Sequence, residues 1–394
     1  EREAALAAAR EAVEIRRALA AQRPDAFRPN LAGSLNNLAN RLGELGEREA
    51  ALAAAREAVE IRRALAAQRP DAFRPDLAMS LNNLANRLSE VGEREAALAA
   101  ARQAEALYRA LAAQRPDAFR PNLATSLNNL ASTLSALGER EAALAAAREA
   151  VEIRRALAAQ RPDAFRPDLA ASLNNLANRL SDLGEREAAL AAAREAADLY
   201  RALAAQRPDA FRPNLAMSLN NLANMLSALG EREAALAAAR EAVEIRRALA
   251  AQRPDAFRPN LAGSLNNLAT MLSDLGEREA ALAAAREAVE IRRALAAQRP
   301  DAFRPDLARS ISVRADCLDA MGQLDLALAD DVEAITVLTP AFNSLPQAFA
   351  PLISAMVRDY KRRCEKHGTE PDQALLAPIV AEFTRMQAQP EQAA

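Results

Sequence analysis

From Leu31 to Leu45 the apolar residues Leu31, Leu35, Leu38, Leu42 and Leu45 fall alternately four and three apart. That spacing returns to one side of a helix at every turn and predicts an amphipathic helix, helix A, over 31–45. A second pattern runs from Glu47 to Gln68, where Ala51, Ala55 and Ala58 line one face with Leu52, Val59, Ile61 and Leu65 beside them. This predicts helix B, about 33 Å long and longer than helix A. Small residues at the crossing let two helices approach closely, and the flanking Leu and Ile supply buried area. Gly46 suits the left-handed turn that ends a helix, and Glu47 and Glu49 favour the positive end of the next one. Asn30, or Asp76 in the next copy, follows a proline and is the expected N-cap of helix A. Arg69 precedes Pro70 and is pushed out of helical geometry, so RPDAFRPD (69–76) reads as a stiff linker with Phe73 plugging the gap between helices.

The pair of patterns recurs every 46 residues. EREAALAAAR opens at Glu1, Glu47, Glu93, Glu139, Glu185, Glu231 and Glu277. A unit of this size cannot bury its own apolar face, so copies must stack on one another, which predicts an all-α solenoid of antiparallel helix pairs with about eight hairpins. The organisation read from the copies is helix B of an incomplete first repeat plus linker (1–29), six near-identical repeats (30–306), a divergent repeat (307–339), and a C-terminal capping helix pair with a tail (340–394). The chain opens in mid-repeat without Met, from which a preceding portion is expected.

Composition narrows the function classes. Hydrophobic residues make up 51% of the chain, but most are Ala; aromatics are 3% and Trp is absent. Acidic and basic residues nearly cancel, 53 against 51, and both signs mix along each helix, which argues against nucleic acid as a partner. Arg56, Arg62 and Arg63 have Glu57 and Glu60 beside them, so a solvated, salt-bridged face is the expected outcome. The only lysines are Lys361 and Lys366, and the excess of Arg and Ala points to a GC-rich bacterial gene. No run approaches the roughly 20 apolar residues of a membrane span and no leader is visible, so a cytoplasmic protein without membrane contact is expected.

Reaction chemistry is not written in the chain. Cys317 and Cys364 form no disulfide framework. Cys364 and His367 stand three apart, yet a structural zinc needs four ligands and a thiol nucleophile needs an oriented base, and neither is supplied. No phosphate loop or nucleophile motif occurs, so no enzyme activity, cofactor or metal is expected.

Leu35, Leu38, Ala39 and Leu42 on helix A, Gly46 at the turn, and Ala51, Ala55 and Ala58 on helix B resemble the tetratricopeptide repeat, in the long-period form of kinesin light chain and many bacterial scaffold proteins. The unit is 46 residues instead of the usual 34, and the family's bulky aromatics are replaced by Leu and Ala. The resemblance implies a right-handed superhelix whose concave groove is lined by helix A. The side opposite the leucine stripe carries Gly33, Asn36, Asn40, Gly43 and Glu44, and the resemblance makes it the binding surface for a peptide or protein segment. Asn36 recurs as Asn82, Asn128, Asn174, Asn220 and Asn266, and Asn40 as Asn86, Asn178 and Asn224. An amide ladder of this kind can grip an extended backbone, as groove asparagines do in the family, or Asn36 and Asn37 can instead tie adjacent helices to the linker. Asn37 is expected nearer the buried edge. Gly33 becomes Met79, Thr125, Ala171, Met217 and Gly263, and Arg41 becomes Arg87, Thr133, Arg179, Met225 and Met271, through diversification for a ligand or through drift. The candidate contacts are therefore these asparagines with Met79, Met217, Arg41, Arg87 and Arg179.

On helix B, Arg62 is replaced by Tyr108 and Tyr200, expected on the convex edge, where identical repeats offer a surface for self-association. The expected function is a non-catalytic protein–protein interaction scaffold. The alternatives are the sensor or scaffold arm of a larger bacterial enzyme and a self-assembling fibre or ring.

Overall fold

The computed structural model describes residues 2–388. Among these there are seventeen helices and no strand: α1 (Arg2–Gln22), α2 (Pro24–Leu45), α3 (Arg48–Gln68), α4 (Pro70–Val91), α5 (Arg94–Gln114), α6 (Pro116–Ala136), α7 (Arg140–Gln160), α8 (Pro162–Asp182), α9 (Arg186–Gln206), α10 (Pro208–Ala228), α11 (Arg232–Gln252), α12 (Pro254–Asp274), α13 (Arg278–Gln298), α14 (Pro300–Ala320), α15 (Leu324–Ser344), α16 (Pro346–His367) and α17 (Gln373–Ala388). The tail assigned to 340–394 runs past the described residues from 389 onward. Up to α16 the even-numbered helices are A-type and the odd-numbered ones B-type. The chain forms two compact units, 1–192 and 193–394. In each, short turns join long helices that pack along their lengths, the geometry of antiparallel hairpins.

The A-type helices start earlier than the leucine stripe alone predicts, at Pro24 instead of Leu31 in the first of them. RPDAFRPN is not a linker: helix α2 begins at Pro24, and only Arg23 leaves helical geometry, at φ −137° and ψ 80°. Pro24 at the first helical position lacks an N–H that would have had no partner there, and its ring presets φ. Pro29 lies inside the helix, where the one intrahelical acceptor it deprives is the Asp25 carbonyl of the first turn. The Phe27 N–H donates to the Arg23 carbonyl at 3.2 Å, and the Arg23 guanidinium lies 5.0 Å above the Phe27 ring, a cation–π clip that recurs as Arg69 on Phe73. Asn30 therefore stands in mid-helix and caps nothing. The two helix types are nearly equal in length, at 22 and 21 residues for α2 and α3.

The other end of the A-type helix follows the glycine rule. Gly46 has φ 82°; its N–H donates to the Gly43 carbonyl and the Glu47 N–H to the Leu42 carbonyl, closing the turn. The same geometry recurs through Gly138 and Gly322, with open space around both. Because nothing crowds it, Gly138→Ala is expected to cost only the backbone term, about 1–2 kcal/mol, read as a lower urea midpoint at unchanged m-value.

Ala51, Ala55 and Ala58 are wholly buried, as are their copies Ala97, Ala101 and Ala104. Around them Leu52, Val59, Leu65 and Phe73 join Leu77, Leu81 and Leu88 in one cluster, with Phe73 in the first turn of A-type helix α4 and not in a linker. Neighbouring B-type helices are laced on their outer side by pairs such as Arg56 with Glu93 at 2.6 Å and Arg109 with Glu149 at 2.8 Å. These exposed pairs set a solvated surface and contribute little stability.

At the C-terminal end the copies give way to a different closure. Helix α15 runs through Pro340, and α16 and α17 bury Ile353, Met356, Tyr360, Leu376 and Ile379 against Ile311, Ile335, Leu338 and Phe342. Arg363 of α16 is 1% exposed and reaches Asp331 of α15 at 2.5 Å, Asp319 of α14 at 3.4 Å, and Asp316 of α14. Asp372 then caps α17, accepting from the Ala374 N–H at 2.8 Å.

Candidate functional site

The surface that varies between copies lies on the A-type helices, and the structure changes which side chains reach it. Asn36 is not exposed. It is 3% accessible, and its Nδ2 donates to Ser80 Oγ of the next A-type helix at 2.7 Å. The rung repeats from Asn128 to Ser172, Asn220 to Ser264 and Asn266 to Ser310 at 2.8, 2.8 and 2.9 Å. Between Asn82 and Ser126 the hydroxyl donates to the amide oxygen at 3.1 Å. Asn174 is buried in the same position. The expectation that Asn36 and its equivalents face a ligand is corrected. They fasten neighbouring repeats, and to a side-chain hydroxyl instead of a linker carbonyl.

The burial of Asn36 has a clear cause. An A-type helix packs against B-type helices and also against the next A-type helix, as α2 does on α4, so its buried arc is wider than one leucine stripe. Ser34 and Asn36 fall inside that arc, while Leu38 is only half-buried. Asn37, expected nearer the buried edge, is exposed, and its copies Asn83, Asn129, Asn175, Asn221 and Asn267 are half-buried at the surface.

The remaining candidates divide. Asn40, Asn86 and Asn224 are exposed and Asn178 half-buried, while Met79 and Met217 are 43% and 40% exposed. Arg41, Arg87 and Arg179 pair with acids three residues on along their own helices, Glu44, Glu90 and Asp182, at 2.9, 2.9 and 3.3 Å. The position they occupy is no uniform groove site, since its copies Thr133, Met225 and Met271 are buried.

The B-type helices reach into this surface. Arg62 pairs with Asp76, Arg154 with Asp168 at 2.7 Å, and Arg292 with Asp306 at 2.9 Å. Burial pushes all three guanidinium groups below their ordinary range, with the aspartates pulling the other way. Where Tyr108 replaces the arginine, the acid is replaced by Asn122, and Tyr200 is likewise matched by Asn214. Tyr108 and Tyr200 are not on a convex edge. They are 3% and 1% exposed, and Tyr108 donates to the Pro75 carbonyl at 3.3 Å. The tyrosine basis for self-association is thereby removed.

A cavity of about 430 Å³ opens between α2 and α4, lined by Arg16, Asn30, Gly33, Asn37, Arg62 and Met79 among others. Sequence reasoning missed it, although the coupled change of Arg16, Asn30 and Gly33 across copies was visible. Cys317 and Cys364 are buried free thiols, and burial with Asp316 nearby raises Cys317 to about 11. His367 contacts Asp325 at 2.8 Å. Among the described residues no cluster of His, Cys, Asp or Glu has the make-up of a metal site, and no helix is long and apolar enough to cross a membrane.

A tetratricopeptide repeat profile matches the chain at residues 31–68, 77–113, 123–160, 169–205, 215–252 and 261–300, which is more than half of its length. No curated protein matches the sequence. Among solved structures, the chain is similar to BtubC (BKLC) from P. vanneervenii, with 23% identity, a TM-score of 0.49, and coverage of 63% of this chain and 92% of that one. It is also similar to a Podosopora anserina putative kinesin light chain with nearly identical TPR-like repeats (21% identity, TM-score 0.42, 57% and 98% covered). A Rap protein complexed with Competence and Sporulation Factor matches at 15% identity and a TM-score of 0.46, with 86% and 98% covered.

Proposed function

The chain belongs to the tetratricopeptide repeat family, and on that premise we propose that it is a non-catalytic scaffold holding a peptide or protein segment along its A-type helices. The observation that carries the reading is the placement of Met79 and Met217. Both are large apolar side chains left exposed at one and the same position of the repeat. A flexible thioether adapts to varied apolar partners. Beside them the surface asparagines Asn37, Asn83 and Asn129, with Asn40 and Asn86, repeat amide donors and acceptors that an extended backbone can use whatever its side chains.

The test uses the whole chain as bait for displayed random peptides. Enriched peptides are expected to lose about tenfold or more in affinity when Met79→Glu and Met217→Glu are combined, with helical content unchanged. Peptides that bind the doubly substituted chain as tightly as the parent, or no enrichment at all, sink the reading.

A further inference from the structure

At Thr125, Gly33 and Gly263, which share one position of the repeat, the A-type helix lies beside a guanidinium that reaches in from the next B-type helix. In one copy Thr125 accepts a hydrogen bond from Arg154 Nη2 at 2.7 Å. At Gly33 no side chain covers the equivalent atom: Arg62 Nη2 lies 3.9 Å from where a Cβ would stand. Gly263 repeats this with Arg292 Nη2 at 4.0 Å.

The same two repeats depart from the others in a second way. Arg62, Arg154 and Arg292 each have an aspartate fourteen residues on, whereas Arg16 and Arg246 have Asn30 and Asn260. Lacking that acid, Arg16 donates to the Asn30 carbonyl at 3.0 Å and to Ser34 Oγ, and Arg246 to the Asn260 carbonyl at 2.5 Å. A neutral carbonyl satisfies the hydrogen-bonding geometry without cancelling the charge. Burial and the neighbouring Arg292 push Arg246 down to about 10, so it stays charged at neutral pH. Arg62 is already balanced by Asp76, which leaves the cavity at Gly33 with one uncompensated positive charge.

Two independent losses, the covering side chain and the internal carboxylate, thus coincide twice in one chain and in no other repeat. From this coincidence we propose that the cavity at Gly33, and the matching uncovered position at Gly263, each bind one carboxylate group in the place the missing aspartate vacates. The guanidinium fork matches the two oxygens of a carboxylate, and the surface amide of Asn37 adds a further donor at the first cavity. At the first cavity a single excess charge suits a monovalent carboxylate better than a phosphate, which carries nearly two; at the second, Arg309 stands where the first has Met79 and shares Asp306 with Arg292. The assignment goes beyond the scaffold reading and stands without it, because a small free acid presents the same group as an acidic side chain.

The test titrates the full chain by calorimetry with two probes, succinate and a capped Asp-Ala-Glu peptide. Two equivalents are expected to bind, falling to one in Gly33→Met and to none when Gly263→Met is added. Both substitutions copy the residue that the chain itself carries at Met79 and Met217, so the fold is retained. Asn30→Asp restores the internal acid and is expected to weaken the first site about tenfold or more while raising the melting temperature. Ala171→Met, the same change in a tyrosine repeat, leaves both sites intact. Binding of succinate assigns the sites to free acids, and binding of the peptide alone assigns them to acidic side chains; either supports the proposal. No binding of either probe, or a stoichiometry that both methionine substitutions leave at two, overturns it. Failure here leaves the peptide-display result untouched, so the two readings fall separately.

Discussion

Replacing Arg363 with Met is expected to unfasten the C-terminal end of the chain, at a cost of about 3–5 kcal/mol, because it strands the buried Asp331 carboxylate without its counter-ion. The side chain it removes is almost wholly inaccessible, and it ties α16 to Asp316 and Asp319 on α14 and to Asp331 on α15. Asp331 is itself 2% exposed. Methionine keeps most of the volume, so the loss is of charge and hydrogen bonds. In a stacked repeat each helix pair leans only on its neighbours, and the damage should stay local. Amide exchange is expected to accelerate through α15, α16 and α17 while α11 and α12 keep their protection. Equal acceleration through all of these helices would show that Arg363 holds more than the end.

The same network sets a pH signature. Burial pushes Asp331 up to about 6 against the pull of Arg363, and burial also raises Asp316. A folded-state value above the unfolded one means that the folded end takes up protons between about pH 4 and 6 that the unfolded chain does not. The corresponding stability is present at the acid side of that window and is lost as pH rises through it. Asp319 works in the opposite sense: burial would raise it, but Lys366 and Arg363 hold it below the usual carboxylate range. Without Arg363 the acid-side gain should grow. The Arg363→Met chain is therefore expected to melt higher at pH 5 than at pH 7, and a flat or reversed profile would place the titration elsewhere.

Much of the fold was legible because its rules are local. Gly46 ends a helix through a left-handed turn that needs no knowledge of the partner, and three alanines on one face announce a close crossing wherever it occurs. Two features were misread for physical reasons. A pair of prolines in RPDAFRPN suggested a break, yet one sits at the first helical position, where its missing N–H costs nothing, and the other deprives only a first-turn carbonyl. Asn36 looked exposed because a leucine stripe defines one buried side, whereas this helix is buried on two. The sequence did hold the clue. Ser34 and Asn36 are unchanged through the copies, and at the end of the array both partners of the next rung change together, to Ser312 and Met356. The candidate interaction surface was legible only in part, since exposure decides it and exposure depends on a neighbouring repeat.

Changing Asn36, Asn82 and Asn128 together to Ala is expected to destabilise the first unit by roughly 3–9 kcal/mol, taking about 1–3 kcal/mol for each buried polar group left unpaired. Their partners Ser80, Ser126 and Ser172 lie on the facing A-type helices, and Ser80, Ser126 and Ser172 have no solvent exposure. The part of the cost that comes from unpaired hydroxyls can be separated from the part that comes from lost volume. Adding Ser80→Ala, Ser126→Ala and Ser172→Ala removes the other half of each rung and is expected to recover about half of the loss, since an absent pair costs less than a broken one. Urea unfolding of the two variants beside the parent reads the difference directly. The prediction also bears on any binding experiment at this surface. A ligand lost with the three asparagines reports a loosened repeat, whereas one lost with Met79 and Met217 at unchanged stability reports contact. If the triple variant unfolds at the parent midpoint, the rungs carry no stability and the buried asparagines must be kept for another purpose.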